Sequence, residues 1–428
     1  MPSGVRLDDW NPRPMPTDLP IPSANASLPP AGEIGSETPV TDQTDLLGLT
    51  AAELGAWLSE RGQPAYRARQ LAGAIYHTLT SDFAAMSTLP AALRERLAHE
   101  ARITGPTVRA EVISKDVRTR KLLLELSDGR LIETVLMLYP ASAEGRARAT
   151  VCVSTQVGCA YGCTFCATGQ MGFERHLTAG EIVAQVLRFA RDLRAHPWQA
   201  PDGQTLDHVT NLVFMGMGEP LHNYDNTLKA LRILNMPEGL HIGARHMTVS
   251  TVGLVPGIRR LAEEDLQVNL AISLHAPNDE LRLRTMPVTR KYPIADVLAA
   301  CQAYVARTNR QVTFEYVLLA GVNDAPEHAR ELAALLAPLA HLGHVNLIPV
   351  NATAANYRPP SGEAIRLFRD ILRAGGVSNS VRAERGDDIA AACGQLRTRV
   401  TQARGNAQSV GKKQAAHEAQ QAQKAGGE

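Results

Sequence analysis

From about Thr150 the chain alternates short apolar runs with amphipathic stretches, and this alternation narrows the possible folds more than any other feature. The apolar runs are ATVCVST, HVTNLVFMG, RHMTVST, VNLAISL, QVTFEYVLL and HVNLIPV, each read as a strand. Between them lie TAGEIVAQVLRFARDL, TLKALRIL, IADVLAACQAYVA, HARELAALLAPL and AIRLFRDILRA. In the first of these, Thr178 and Glu181 have capping-box spacing, which marks a helix start. Strands alternating with helices require a parallel sheet with right-handed crossovers. Six such units close part of a barrel, and they are too few for the full eight-fold form. The expected fold is therefore α/β, a partial (β/α)6 TIM-type barrel over residues 150–402.

The flanking segments differ in composition. Residues 1–44 are rich in Pro, Ser, Ala and Thr without a hydrophobic period, so a disordered leader is expected. Residues 45–105 carry LTAAELGAWLSERG, AYRARQLAGAIYHTL and LPAALRERLAHEARI, short amphipathic helices broken by Gly and Pro. Within 106–149 the alternating runs RKLLLEL and LIETVLML flank Ser127-Asp128-Gly129, a strong hairpin signal, so a linking β-hairpin is expected. The tail, 403–428, is Gln, Ala, Lys and Gly, and disorder is expected there too.

A chain of 428 residues with net charge +1 gives no bulk signal for a nucleic-acid partner, so any such contact must come from local patches. No apolar run approaches the roughly 18 residues of a membrane span. The start, MPSGVRLDDWNPRPMP, has no apolar core of a secretory signal, and a cytoplasmic protein is expected.

Four of the six cysteines fall close together: Cys152, Cys159, Cys163 and Cys166, with Cys301 and Cys393 far along the chain. In a long cytosolic chain such clustering points to metal binding or catalysis rather than to a disulfide framework. Cys159, Cys163 and Cys166 lie in STQVGCAYGCTFCATGQMGF, a tight loop after the first strand. Three thiolates can hold three irons of a four-iron cluster and leave the fourth open to a small chelating molecule. Phe165, just before the last cysteine, could shield such a cluster. The alternative is a structural zinc ion with Cys152 as fourth ligand, although zinc sites more often pair two Cys-x-x-Cys knuckles.

The pattern Cys-x-x-x-Cys-x-aromatic-Cys opening a β/α alternation resembles the radical S-adenosylmethionine superfamily. Four further stretches resemble one of its families, the RlmN/Cfr RNA methyltransferases: GMGEPLHNYDN (Gly216 to Asn226), AISLHAPND (Ala271 to Asp279), NLIPVN (Asn346 to Asn351) and RGDDIAAACGQL (Arg385 to Leu396). The likeness runs from about Leu46 to Val400 and includes the helical amino-terminal segment, which the resemblance makes an RNA-binding domain. It implies a [4Fe-4S] cluster on Cys159, Cys163 and Cys166 and two molecules of S-adenosylmethionine per turnover. The implied substrate is an adenosine in the peptidyl-transferase region of 23S rRNA, and one in tRNA anticodon loops. The Arg385-Gly386-Asp387-Asp388-Ile389 run is like the branch that methylates carbon 2 rather than carbon 8. An electron donor such as flavodoxin and a monomeric protein go with it.

Residue roles follow from the same resemblance. Gly218, Glu219, Ser250, Ser273, Leu274, His275 and Asn351 would contact S-adenosylmethionine; most of them end barrel strands, whose carboxyl ends share one mouth. Cys393 would carry a methyl group, although on residue type alone it is a small buried apolar residue. Cys152 would be the second catalytic cysteine, and strand alternation turns it away from Val151 and Val153. Glu133 would accept a proton; by itself it is equally a solvated strand carboxylate. Arg282, Arg284, Arg290 and Lys291, with Arg118, Arg120 and Lys121, are candidate phosphate contacts, or else ordinary surface charge. Cys301, in mid-helix, is expected in the core.

Overall fold

The computed structural model describes residues 43–142, 145–339, 341–351, 357–382, 386–391 and 394–396. The expected leader and tail fall outside the described residues.

The first described segment is helical: α1 (Ala51–Ser59), α2 (Tyr66–Ala72, continued by a π turn to His77) and α3 (Ala91–Glu100). Thr50 and Glu53 form a reciprocal capping box that starts α1. Leu54, Leu58, Leu71, Ile75, Leu93 and Leu97 are buried, the spacing expected for one apolar stripe per helix. The chain leading into α1 lies tightly on the barrel. A methyl on Gly48 would strike the Gly180 backbone, and one on Gly180 would strike the Leu47 carbonyl. Tyr76 fixes this strap, its buried hydroxyl accepting from the Gly48 N–H (3.0 Å) and donating to the Leu49 carbonyl (2.9 Å).

A ten-stranded sheet forms the rest of the frame, and its spatial order follows the chain. Its strands are β1 (Thr107–Ile113), β2 (Thr119–Glu125), β3 (Leu131–Tyr139), β4 (Arg148–Cys152), β5 (Asn211–Phe214), β6 (Met247–Thr251), β7 (Asn269–Ser273), β8 (Val312–Leu318), β9 (Gly343–Pro349) and β10 (Ser378–Val381). Pairs from β1 to β4 are antiparallel, and those from β4 to β10 are parallel. The parallel strands are joined through α4 (Ala179–Ala195), α5 (Tyr224–Asn235), α6 (Val255–Ala262), α7 (Asp279–Thr285) with α8 (Ile294–Thr308), α9 (Pro326–Leu336) and α10 (Gly362–Ala374). This is a central parallel sheet with helical crossovers, the partial barrel expected from the alternation.

Two details differ from expectation. The linker is a three-stranded meander continuous with the barrel sheet, since β1 pairs with β2 and β3 pairs with β4. A seventh parallel strand, β10, follows the six expected; its sequence SNSV is mostly polar and largely exposed, so it has no apolar signature. The Asp-Gly turn forms as read, with Gly129 at φ 79° and its N–H on the Leu126 carbonyl (2.9 Å). Among the described residues no helix is long and apolar enough to cross a membrane.

Candidate active site

The cysteine loop leaves β4 and is closed by a short antiparallel ribbon, Gln156–Gly158 with Phe173–His176. The Cys159 N–H donates to the Gly172 carbonyl (2.8 Å) and the Cys166 N–H to the Cys163 carbonyl (3.1 Å), which turns the loop back on itself. The Thr164 N–H donates to the Thr285 carbonyl (2.9 Å) and anchors the loop on α7. All three cysteines line one cleft at the carboxyl ends of the parallel strands. Burial pushes the Cys159 thiol up to about 12, with added repulsion from Glu219 and Cys166. Burial likewise holds Cys163 well above its ordinary value, against the pull of Arg282. Such thiols ionise when a group rich in positive charge takes up their electrons, which is what an iron–sulfur cluster does. The donor set fits that group. Zinc fits less well, because Cys152 does not line the cleft. Among the described residues no three His, Cys, Asp or Glu side chains converge on a single-ion position either.

Gly218, Glu219, Ser250, Ser273, His275 and Asn351 line the same cleft. Gly218 has φ 100°, and a methyl there would strike the Gln156 side chain, so the turn needs glycine. Glu219 is buried, its two oxygens accepting from the Leu221 N–H (3.0 Å) and the Val252 N–H (2.8 Å). Burial outweighs these donors and pushes the carboxyl up to about 7. His275 takes φ 58°, a left-handed conformation that costs a non-glycine residue energy and tends to mark functional positions. Its Nδ1 accepts from the Val317 N–H (3.0 Å), and Phe165 meets its ring edge-on at 4.8 Å. Burial, with Arg282 nearby, drives this imidazole down to about 3, so it is neutral. Leu274 stands apart: its side chain is in the core and its carbonyl accepts from Arg282 Nε (3.1 Å). The sequence alone missed Glu315 and Arg382, which also line the cleft; Glu315 sits between Phe314 and Tyr316 in an otherwise apolar strand.

Cys393 lies outside the described residues, as does Arg385. Its chain neighbours are described. Gly394 lines the cleft and its carbonyl accepts from the Ala167 N–H (2.7 Å), while the Leu396 carbonyl accepts from Thr168 Oγ1 (2.7 Å). On the other side, the Ala390 carbonyl accepts from Lys121 Nζ (3.0 Å) and Asp388 Oδ2 accepts from the Lys115 N–H (2.9 Å). Lys121 Nζ also pairs with Glu133 Oε1 at 3.1 Å. Glu133 is therefore buried in an ion pair, not solvated. Sheet register sets Cys152 opposite Val135 and Val213, on the face shared with Glu133 and Lys121. Cys152 is buried and is not part of the cleft lining, and Cys301 is buried in α8 as expected.

The basic residues separate. Arg282 is fully buried and all its donors are engaged within the protein, so it cannot meet a phosphate, a correction to the surface reading. Arg120 bonds Glu111 and Asp192, and Lys121 is committed to Glu133. Arg284, Arg290 and Lys291 are exposed.

Residues 153–333 match the family model described as the Radical SAM superfamily, and residues 44–103 match the "Ribosomal RNA large subunit methyltransferase N-terminal domain". With the cysteine loop at the mouth of a parallel sheet, the chain is a radical S-adenosylmethionine protein, the class whose proteins hold a [4Fe-4S] cluster and S-adenosylmethionine. A "Probable dual-specificity RNA methyltransferase RlmN" of Roseiflexus castenholzii is 49% identical, covering 84% of this chain and 98% of the relative. The "Ribosomal RNA large subunit methyltransferase N" of Nitrosopumilus maritimus is 48% identical, covering 83% and 99%. A crystal structure of a radical SAM methyltransferase from Sphaerobacter thermophilus matches with TM-score 0.76 and 53% identity over 83% of this chain and 99% of that one. The chain belongs to the RlmN family.

Proposed function

We propose that this protein methylates carbon 2 of an adenosine in 23S rRNA, and one in tRNA anticodon loops, by way of Cys393. The observation that carries the reading is the wall of the cleft. Gly394, next in the chain to Cys393, lines it together with Cys159, Cys163, Cys166 and the polar strand ends. The relatives' names, which specify RNA and the large ribosomal subunit, support the substrate class.

Ring carbons of adenine that carry hydrogen are flanked by electron-withdrawing nitrogens and do not attack an electrophilic methyl group. The cluster with S-adenosylmethionine supplies the carbon-centred radical chemistry that avoids this obstacle. The protein's part is positional. Glu219, Ser250, Ser273, His275 and Asn351 hold the polar groups of S-adenosylmethionine at the mouth. Cys393 carries the methyl group and presents its carbon to the base. Glu133, poised by Lys121, takes the proton from carbon 2. The Cys152 thiolate then attacks the Cys393 sulfur; an S–S bond forms, the carbon–sulfur bond breaks with its electron pair staying on the bridging carbon, and a proton taken up from solvent completes the methyl group on the base. A cellular thiol reductant reopens the disulfide. The base has to leave its stack to reach the cleft, which favours RNA loops over duplex. A one-electron donor such as flavodoxin, a monomeric state and a cytoplasmic location complete the proposal.

Nucleoside mass spectrometry tests it, on RNA from a strain lacking the gene and complemented with it. 2-Methyladenosine should appear only on complementation and vanish with Cys393→Ala. A product that is 8-methyladenosine would overturn the carbon assignment, and no modified adenosine at all would overturn the reading.

A further inference from the structure

Among the described residues Arg282, in α7, is the largest side chain with no exposure to solvent. A guanidinium has five N–H donors, and here each has an acceptor. Nε donates to the Leu274 carbonyl (3.1 Å); Nη1 donates to Thr289 Oγ1 (3.3 Å) and the Tyr292 carbonyl (3.3 Å). Nη2 donates to the Val252 (2.6 Å) and Ser273 (3.1 Å) carbonyls. The side chain thus ties the ends of β6 and β7, where the cleft opens. None of the five acceptors is a carboxylate. Asp279, the carboxylate that acts on it, uses Oδ1 to accept from the Ile294 N–H (2.8 Å).

Hydrogen bonds account for the position of this group, and none of them comes from a charged acceptor. Burial lowers its pKa only to about 10, with Cys163 and Asp279 holding it up, so it is a cation at neutral pH. A buried cation is costly unless negative charge stands near it. The cysteine loop is anchored on the same helix, the Thr164 N–H donating to the Thr285 carbonyl (2.9 Å). Arg282 is also the cation that acts on Cys163, where Cys159, Cys166 and Glu219 all act in the opposite sense.

We propose that Arg282 is the fixed counter-charge of the cluster on Cys159, Cys163 and Cys166, and that it sets the cluster's reduction potential. The inference rests on the cysteines being cluster ligands and not on the identity of the RNA product. On reduction the cluster gains one electron from its protein donor and no charge leaves Arg282. A fixed cation stabilises the reduced form more than the oxidised one and raises the potential. Glu219, when ionised, works the other way.

Redox titration of the reconstituted protein, followed by electron paramagnetic resonance with iron counted in each sample, tests this without RNA. Arg282→Lys, which keeps the charge and loses most of the clamp, should hold the wild-type midpoint. Arg282→Gln should lower it by at least tenfold in the reduction equilibrium, about 59 mV for one electron. Thr289→Asp leaves Arg282 and its carbonyl contacts in place and neutralises it; the midpoint should fall likewise, while Thr289→Asn should not move it. If Arg282→Gln cannot hold iron, the Thr289 pair decides. An unchanged midpoint in Thr289→Asp, or equal shifts in Asp and Asn, overturns the proposal and leaves Arg282 as a clamp. Midpoints that behave as stated beside a failure to methylate RNA would count against the proposed function alone.

Discussion

Burial acts in opposite senses on Glu219 and His275. It pushes the carboxyl up to about 7 and the imidazole down to about 3, so both favour the neutral state. For His275 the outcome is constant across ordinary pH, and the ring serves as an acceptor for the Val317 N–H. Glu219 instead changes charge near neutrality. In the proposed scheme the ionised carboxylate accepts from the amino group of S-adenosylmethionine, so binding to the free, protonated site releases a proton. Affinity in the cluster-loaded protein should therefore rise about tenfold per unit as pH increases below about 7 and level off above it. Anaerobic calorimetry between pH 6 and 8 checks this, and Glu219→Gln should bind weakly with no slope. Cys152→Ala should keep its iron and a methylated Cys393, yet stall with RNA attached, seen as a slow band on a denaturing gel that collapses on ribonuclease treatment. Normal turnover of that variant would remove Cys152 from the chemistry. At this scale the sequence was informative wherever a motif is local, as in the cysteine loop and the strand-end residues. It misled at Arg282, because an arginine in a polar helix is by default a surface residue and only tertiary packing buries it. It was silent on Glu315, whose neighbours give no sign that its carboxylate faces the cleft.

Elements were legible in proportion to their periodicity. The capping box at Thr178 and Glu181 formed as read, the Glu181 N–H donating to Thr178 Oγ1 (3.2 Å) and the Thr178 N–H donating back to the carboxylate (2.9 Å). Six parallel strands were visible as apolar runs, and polar β10 was not. The alternation of Val108, Ala110 and Val112 in β1 was present, but weaker than the Asp-Gly turn beside it. The contact between Gly48 and Gly180 had no sequence signal, since it joins segments distant in the chain. It sets up a contest of known terms. Gly180→Ala should favour α4 by up to about 1 kcal/mol through propensity. The added methyl meets the Leu47 carbonyl, a backbone group that cannot rotate away, and overpacking of this kind costs roughly 1–3 kcal/mol. Net destabilisation is expected, measured as a lower denaturant midpoint with an unchanged slope. A gain in stability would show that the strap carrying Gly48 yields without loss.

Across the whole molecule, the returning chain near Cys393 bridges two regions far apart in sequence. Asp388 is tied to Lys115 and Ala390 to Lys121 in the meander, and Gly394 is tied to Ala167 beside the last cluster cysteine. The meander is thus more than a linker: it holds Asp388 and Ala390 on one side of Cys393 in the chain, while the cysteine loop holds Gly394 on the other. Asp388 offers the way to test this, because it is exposed and is not part of the cleft lining. Asp388→Ala removes the carboxylate that accepts from the Lys115 N–H and leaves Glu133, Lys121 and all three cluster cysteines intact. An exposed contact of this type is worth on the order of 1 kcal/mol, which is about a fivefold change in an equilibrium. Iron content and S-adenosylmethionine binding should match the wild type. RNA methylation should slow by about that factor, and more S-adenosylmethionine should be cleaved per methyl group delivered, because a loosened carrier meets the base less often. Counting deoxyadenosine against methylated adenosine in one reaction reads both. If rate and ratio are unchanged, the tie to Lys115 does not position Cys393, and the contacts at Ala390 and Gly394 suffice.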